Sequence, residues 1–188
     1  MRSFIAIELP QDIQDSLFKA QACLKDADAD INWVKRENLH ITLKFLGDID
    51  ERQAEYVSGS LSTLARETSA YPLSISSCAA FPNTHLPRII YATIDTGYAQ
   101  TKILSEKIET ILRGRFPEEK REFIPHITLG RVISKGNLRG LIRRIETFPV
   151  KKYLPLEFNA EKIIFLKSVL KKEGAFYETL KEENLRTN

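Results

Sequence analysis

The segment NLHITLKFLG (Asn38–Gly47) contains a tetrapeptide, His-Ile-Thr-Leu, that occurs again in FIPHITLGRV (Phe123–Val132). The two copies begin at His40 and His126, in a chain of 188 residues that has only three histidines. Polar and apolar residues alternate through both copies, which predicts a β-strand with one buried face. An imidazole and a hydroxyl side by side on the other face need hydrogen-bond partners, so the repeat indicates a functional site.

Strict alternation assigns the side chains of each motif strand to one of two faces. His40 and Thr42 share the polar face of the first strand, and His126 and Thr128 share that of the second. The other face is apolar and comprises Ile41, Leu43 and Phe45 in the first copy and Ile127 and Leu129 in the second. Two such strands from a duplicated chain can place two imidazoles and two hydroxyls around one point.

The elements around the motifs also repeat in the same order. In the first half, strands are predicted at Ser3–Leu9, Leu39–Phe45 and Leu73–Ala79, and helices at Asp12–Lys25 and Glu51–Ala65. In the second half, strands are predicted at Arg88–Ile94, Ile124–Val132, Leu156–Phe158, Lys162–Leu170 and Ala175–Leu180, and helices at Ala99–Leu112 and Leu138–Thr147. The last two strands are joined by a turn over Lys171–Gly174. A repeat of roughly 86 residues is too long for a solenoid unit and indicates a duplicated lobe, with chance similarity as the alternative.

The composition is that of an ordinary globular protein, with 43% hydrophobic and 28% charged residues. No apolar run approaches the roughly 20 residues that span a bilayer, and the N-terminus lacks the pattern of a signal peptide. Cys23 and Cys78 form no close motif, so a reducing cytoplasm is the expected location. The net charge of +3 permits an anionic partner without indicating a long nucleic-acid footprint.

The repeated histidine and threonine favour acid–base chemistry at phosphorus. Because imidazole titrates near pH 6.5, one ring can act as a general acid while the other acts as a general base. Hydroxyl groups beside them can hold the oxygens of an anion, and no metal or other cofactor is then required. A zinc site is a weaker alternative, since zinc needs at least three protein ligands and neither motif has the usual ligand spacing. A packed polar pair on each strand is the purely structural alternative.

Other residues near the motifs have two interpretations each. Arg131 follows the second motif near its strand end and is predicted to turn toward the cleft and bind phosphate, with a surface arginine as the alternative. Lys44 shares the histidine face but lies farther along the strand, and Phe45 is predicted to pack in the core, with stacking on a base as the alternative. His85 is predicted to be a loop residue, with a position at the rim of the cleft as the alternative. A basic segment is interpreted as a solvated face, with contacts to a polynucleotide backbone as the alternative; it comprises Arg139, Arg143, Arg144, Lys151 and Lys152.

The sequence resembles the two-histidine (2H) phosphoesterases, and within them the bacterial and archaeal RNA 2′,3′-cyclic phosphodiesterases, also called 2′-5′ RNA ligases. The resemblance extends over nearly the whole chain and rests on five segments in order: RSFIAIELP, WVKRENLHITLKFLGDI, PRIIYATI, FIPHITLGR and FLKSVLKKEGAFYETL. It implies an α+β fold in a single bilobal domain over residues 1–188. The pseudo-symmetric halves would span roughly 1–85 and 86–188, with some strand exchange between lobes. Each lobe would be an antiparallel sheet with helices on its outer face, and the active-site groove would lie between the lobes.

The resemblance also implies an activity and a role for each motif residue. The activity is metal-independent hydrolysis of a terminal 2′,3′-cyclic phosphate of RNA to a 2′-phosphate, with 2′-5′ ligation as the same reaction reversed. His40 would be the proton donor and His126 the proton acceptor, while Thr42 and Thr128 would hold the phosphate. The expected partners are RNA ends or nucleotides that carry a 2′,3′-cyclic phosphate, and the expected state is a monomer without a cofactor. A non-catalytic RNA- or nucleotide-binding module that uses the same groove is the alternative function.

Overall fold

A computed structural model describes residues 1–148, 153, 156–171 and 174–187. Its helices are α1 (Gln11–Lys25), α2 (Glu51–Glu67), α3 (Tyr98–Leu112) and α4 (Leu138–Glu146), with a 3-10 turn at Arg36–Asn38. Its strands are β1 (Arg2–Glu8), β2 (Ile31–Trp33), β3 (His40–Asp48), β4 (Tyr71–Phe81), β5 (Ile89–Ile94), β6 (His126–Val132), β7 (Leu156–Ala160), β8 (Lys162–Lys171) and β9 (Gly174–Asn184). Within these ranges, no helix is both long enough and apolar enough to span a membrane.

The nine strands form one antiparallel sheet in the order β7-β4-β5-β6-β3-β1-β8-β9, with β2 paired to β6 beside β3. The predicted α+β class is therefore confirmed. The motif strands β3 and β6 lie next to each other in this sheet, and their register contains a single pair, Ile41 opposite Ile127. The sheet is thus continuous where the two motifs meet, and the motif residues approach one another across one strand boundary.

The strand order interleaves the two parts of the sequence. Strand β4 lies between β5 and β7, whereas the C-terminal strands β8 and β9 extend the sheet beyond β1. The helices cross in the same way, because α3 follows β5 but packs on β3, and α1 follows β1 but contacts β7. This arrangement ties the two sides of the sheet together. The division into duplicated halves at about residue 85 stays a prediction.

The core lies between the helices and one face of the sheet. Side chains such as Ile5, Ile7 and Phe165 are fully buried there. Strand β1 is buried on both faces, and a smaller apolar cluster on its other face comprises Phe4, Ala6, Ile164 and Leu166. The helix-free face of β1 and β3 is therefore partly apolar, which matters for the histidine that lies on it.

The predicted elements agree with the structure apart from two short ones and some bounds. The sequence does not predict strand β2 or the 3-10 turn after it, because three residues are too few to show a period. Strand β9 continues to Asn184, four residues beyond the predicted end at Leu180. The predicted turn over Lys171–Gly174 includes residues 172 and 173, which lie outside the described residues.

Candidate active site

The two motif histidines have the same local geometry. His40 Nδ1 lies 2.7 Å from the carbonyl oxygen of Asn38, and His126 Nδ1 lies 2.7 Å from that of Ile124. A carbonyl oxygen only accepts, so Nδ1 carries the proton in each neutral ring. The other nitrogen, Nε2, is therefore the atom that takes up or releases a proton. Both rings are oriented by the residue two positions earlier in the chain.

The motif threonines complete a set of four side chains around the junction of β3 and β6. Because Ile41 lies opposite Ile127 in an antiparallel pair, His40 comes next to Thr128 and Thr42 comes next to His126. All four polar side chains are half-buried. Thr42 Oγ1 already lies 2.9 Å from Nε2 of His40. The register thus places one histidine and one threonine on each side of a local two-fold axis.

Aromatic rings enclose His40. The ring of Phe4, on the neighbouring strand β1, stacks on the imidazole with centroids 4.9 Å apart and planes at 28°. Tyr177 of β9 contacts the imidazole edge-on at 5.6 Å and the Phe4 ring edge-on at 4.9 Å. These rings keep water from much of the imidazole. Sequence reasoning misses them as site residues, although the consecutive apolar residues of β1 are typical of a strand buried on both faces.

His126 has an equivalent enclosure on the other side of the junction. Tyr91 of β5 and Phe81 at the end of β4 contact its imidazole edge-on, with centroid distances of 5.4 Å and 5.2 Å. The two aromatic rings stack on each other at 4.1 Å. The sequence does not identify Phe81 and Tyr91 as site residues, because they lie on β4 and β5, far along the chain from His126. Each histidine is therefore held by two aromatic side chains, one of them from the adjacent strand.

A β-bulge follows the threonine in each motif and changes which side chains face the cleft. In β3, Thr42 pairs with Ala6 and Lys44 pairs with Ile5, so Leu43 has no opposite residue. Leu43 and Lys44 are consequently both buried, whereas Phe45 is 60% exposed and contacts Phe4 on the histidine face at 6.0 Å. The prediction that Lys44 shares the histidine face is wrong, and so is the core position of Phe45. Strict alternation fails in both cases because the bulge inserts one extra residue.

Lys44 lies on the opposite, helix-covered face. Its ammonium group donates to Glu109 of α3 at 2.6 Å and to the carbonyl oxygen of Pro117 at 3.0 Å, and its side chain is 2% exposed. It connects the first motif strand to α3 and to the segment that leads toward the second motif. The role of Lys44 in this structure is therefore structural.

The second motif has the same bulge. Thr128 pairs with Tyr91 and Gly130 with Ile90, so Leu129 has no opposite residue and Arg131 returns to the face of His126. The predicted turn of Arg131 toward the cleft thus follows from the bulge rather than from its position near a strand end. Its charge lowers the pKa of both motif histidines, which is consistent with this placement. Within the described part of the chain, its guanidinium group forms no ion pair.

Both imidazoles favour the neutral form in the free protein. Burial lowers the pKa of His40 from 6.5 to about 4, against the opposing effect of the Asn38 hydrogen bond, and the nearby His126 and Arg131 lower it further. Burial also lowers the pKa of His126, with a further decrease from Arg131. The site is therefore a cluster of neutral and positive groups that favours a bound anion.

Three other predictions concern residues away from this cluster. His85 is exposed in the segment between β4 and β5, where its backbone N–H donates to Asn83 Oδ1. In the basic segment, Arg139 and Arg143 are exposed on α4, and Arg144 pairs with Asp26 at 3.6 Å. Lys151 and Lys152 lie outside the described residues.

Cys23 and Cys78 are free thiols. No group of three or more His, Cys, Asp or Glu side chains among the described residues is arranged to hold a metal ion.

Comparison with known proteins identifies the class of this protein as a phosphoesterase. A family model described as LigT-like phosphoesterase matches residues 7–91. A Methanocaldococcus jannaschii protein named RNA 2′,3′-cyclic phosphodiesterase is 34% identical over 97% of this chain and 99% of its own length. The Aquifex aeolicus protein of the same name is 27% identical over 97% of this chain and 96% of its own. The chain therefore belongs to the LigT-like phosphoesterase family.

Solved structures share the fold over the whole chain. A Thermus thermophilus protein of known crystal structure superposes with a TM-score of 0.81 and 27% identity, covering 100% of both chains. The Escherichia coli LigT, crystallised with 3′-AMP, superposes with a TM-score of 0.76 and 19% identity, covering 98% of this chain and 97% of that one. The second likeness concerns the fold alone.

Proposed function

We propose that this protein hydrolyses the terminal 2′,3′-cyclic phosphate of RNA to a 2′-phosphate without a metal ion. The observation that carries the proposal is the pairing of the motifs across Ile41 and Ile127, which brings two imidazole Nε2 atoms and two hydroxyl groups to one junction. The names of the relatives support the substrate class, because similar proteins over nearly the whole chain are RNA 2′,3′-cyclic phosphodiesterases.

In the proposed reaction the phosphate lies over the junction of β3 and β6. His126 Nε2 accepts a proton from water as the water oxygen forms a bond to phosphorus. The bond between phosphorus and the 3′ oxygen breaks, and His40 Nε2 donates its proton to that oxygen. The products are a 2′-phosphate and a 3′-hydroxyl. Thr42 and Thr128 donate hydrogen bonds to the non-bridging oxygens, and Arg131 stabilises their charge.

The role of His40 as an acid requires that the substrate raise its pKa. In the free protein the pKa is about 4, mainly because the ring is buried. A bound phosphate diester carries a negative charge, which favours the imidazolium form and offsets the positive charge of Arg131. Substrate binding thus favours uptake of the proton that the leaving oxygen needs. The reverse reaction, attack of a 5′-hydroxyl on the cyclic phosphate, would form a 2′-5′ linkage with the two histidine roles exchanged.

Alanine substitution of the two histidines tests the proposal. His40→Ala and His126→Ala should each reduce hydrolysis of a nucleoside 2′,3′-cyclic phosphate about 1,000-fold or more, and EDTA should leave the wild-type rate unchanged. His85→Ala is the matched control, because it removes the third histidine from an exposed segment. Full activity in either motif variant would refute the mechanism. Binding of the cyclic nucleotide without turnover by the wild type would favour the non-catalytic module.

Two further predictions belong with this function. The protein is proposed to act as a monomer, which sedimentation at micromolar concentration can test. The cytoplasmic location also stays a prediction.

A further inference from the structure

Two buried polar side chains on the helices contact the bulges of the motif strands. Gln21 of α1 is fully buried, and its Nε2 donates to the carbonyl oxygen of Leu129 at 2.7 Å and to that of Val34 at 2.9 Å. Ser105 of α3 is 3% exposed, and its hydroxyl donates to the carbonyl oxygen of Leu43 at 2.8 Å. Leu43 and Leu129 are the bulged residues of the two strands and the fourth residues of the two tetrapeptides.

The contacts are reciprocal between the two parts of the chain. Helix α1 follows β1 and reaches the second motif, whereas α3 follows β5 and reaches the first motif. A bulged residue has no partner opposite it in the ladder, so a buried carbonyl there needs a donor from elsewhere. In the first copy Ser105 supplies that donor. In the second copy the Leu129 carbonyl accepts from the backbone N–H of Val34 at 2.9 Å as well as from Gln21, and Gln21 also binds the carbonyl of Val34, so its side chain clamps the bulge to the segment after β2.

Gln21 also retains an unfavourable feature. Its Oε1 is the one buried side-chain polar atom without a hydrogen-bond partner in the ranges that the structure describes. A leucine or methionine at this position would avoid the unpaired acceptor, since a buried polar group without a partner is destabilising. The two bonds that Nε2 donates are therefore the contribution that offsets this cost.

The bulge determines what the cleft contains after each threonine. Without it, Gly130 would face the histidine side and Arg131 would face the opposite side, where a Cβ added at Gly130 would lie only 2.6 Å from Ile31 Cγ2. A register without the bulge would thus remove the guanidinium group from the phosphate and force it against β2. Holding the carbonyl of Leu129 keeps Arg131 on the cleft face.

We infer that Gln21 and Ser105 are positioning residues, which hold the two bulges and thereby set the side chain that returns to the histidine face after each motif, Phe45 in the first and Arg131 in the second. Gln21 holds the carbonyl of Leu129 and so positions Arg131. Ser105 holds the carbonyl of Leu43 and so positions the end of the first motif strand. The inference rests on the proposed function, because it assumes that Arg131 contacts the substrate phosphate.

A double-mutant cycle between Gln21 and Arg131 tests this inference. Gln21→Met keeps the length of the side chain and removes both donors, and it should weaken binding of inorganic phosphate and raise KM for a nucleoside 2′,3′-cyclic phosphate by about tenfold. Arg131→Ala should weaken phosphate binding much less in the Gln21→Met background than in the wild type. Thr101→Val is the matched control, because Thr101 is a buried α3 hydroxyl bonded to Gly97 and Tyr71, away from both motifs.

The outcomes separate this inference from the proposed function. Additive effects of the two substitutions, or a KM for Gln21→Met equal to that of Thr101→Val, would overturn the inference even if the wild type is fully active. If the wild type binds phosphate without hydrolysing the cyclic nucleotide, the proposed function fails and the phosphate dissociation constants still decide the inference. If Gln21→Met does not fold, Ser105→Ala is compared with Thr101→Val, and a KM increase of about threefold specific to Ser105→Ala is expected. Equal KM values would then overturn it.

Discussion

His40 and His126 differ in their surroundings although their tautomers are the same. Each Nδ1 donates to a carbonyl oxygen two residues earlier, which leaves Nε2 for the proposed reaction. Phe4 stacks on the His40 ring, whereas the rings beside His126 contact it edge-on. The sequence alone predicts both histidines and both threonines as candidate site residues, because repeated polar residues on an otherwise apolar strand are conspicuous. The aromatic rings around them come from distant strands and follow only from the fold.

The pH dependence of catalysis should reflect these surroundings. The pKa of His40 is about 4 in the free protein and that of His126 is also lowered from 6.5, so kcat/KM should be maximal on the acid side of pH 6.5. A bound phosphate should raise the pKa of His40, the proposed donor, so the maximum of kcat should lie at higher pH than that of kcat/KM. Initial rates with a nucleoside 2′,3′-cyclic phosphate across the acid and neutral range measure both profiles. A kcat/KM that still increases above about pH 7 would contradict this account.

At the level of elements, regular periodicity predicts the long helices and strands and fails at the bulges. Helices α1, α2 and α3 could be predicted because their apolar residues recur at helical spacing in the local sequence. The carbonyl oxygens of the bulged residues Leu43 and Leu129 accept hydrogen bonds from side chains far away in the sequence, Ser105 and Gln21, and no local pattern contains that information. For this reason strict alternation places Phe45 on the wrong face of β3. Arg131 lies on the histidine face because of the bulge, and not because it lies near the end of its strand.

Gly130 should be intolerant of a side chain because of the strand beside it. An alanine Cβ there would lie 2.6 Å from Ile31 Cγ2 and 2.9 Å from Trp33 Cε3, so β2 must move. Gly130→Ala should lower the free energy of unfolding by about 1–3 kcal/mol and raise KM, since Arg131 is the next residue. Gly59→Ala is the control. Gly59 lies in α2 with nothing within 4 Å of an added Cβ, and its substitution should stabilise the protein by about 0.5–1 kcal/mol. Urea denaturation measures both, and equal stability of the two variants would rule out the predicted clash.

In the ion pair between Lys44 of β3 and Glu109 of α3, removal of the glutamate should destabilise the protein more than removal of the lysine. The Lys44 side chain is 2% exposed, whereas that of Glu109 is 26% exposed. Glu109→Ala leaves a buried ammonium group without a counter-charge and should cost about 3–5 kcal/mol of unfolding free energy. Lys44→Met leaves a carboxylate that water can reach, and should cost about 1–2 kcal/mol. Denaturant titrations of both variants provide the comparison, and a larger loss for Lys44→Met would show that the lysine is not the buried charge.

At the scale of the whole molecule, the two sides of one continuous sheet meet at the candidate active site. The helices α1 and α3 each cross to the other part of the chain, so neither motif strand is supported only by its own half. The sequence predicts two similar halves, because the motifs and their flanking elements repeat. The interleaving of strands and helices from different parts of the chain is set by packing across the junction of β3 and β6, and a one-dimensional pattern does not contain it.

The paired motifs are proposed to open a cyclic phosphate at its 3′ oxygen. Phosphorus NMR of a nucleoside 2′,3′-cyclic phosphate incubated with the wild-type protein and EDTA tests this proposal most directly. The cyclic phosphate resonance should be replaced by that of the 2′-phosphate alone. A 3′-phosphate product, or an unchanged spectrum, would contradict the proposal.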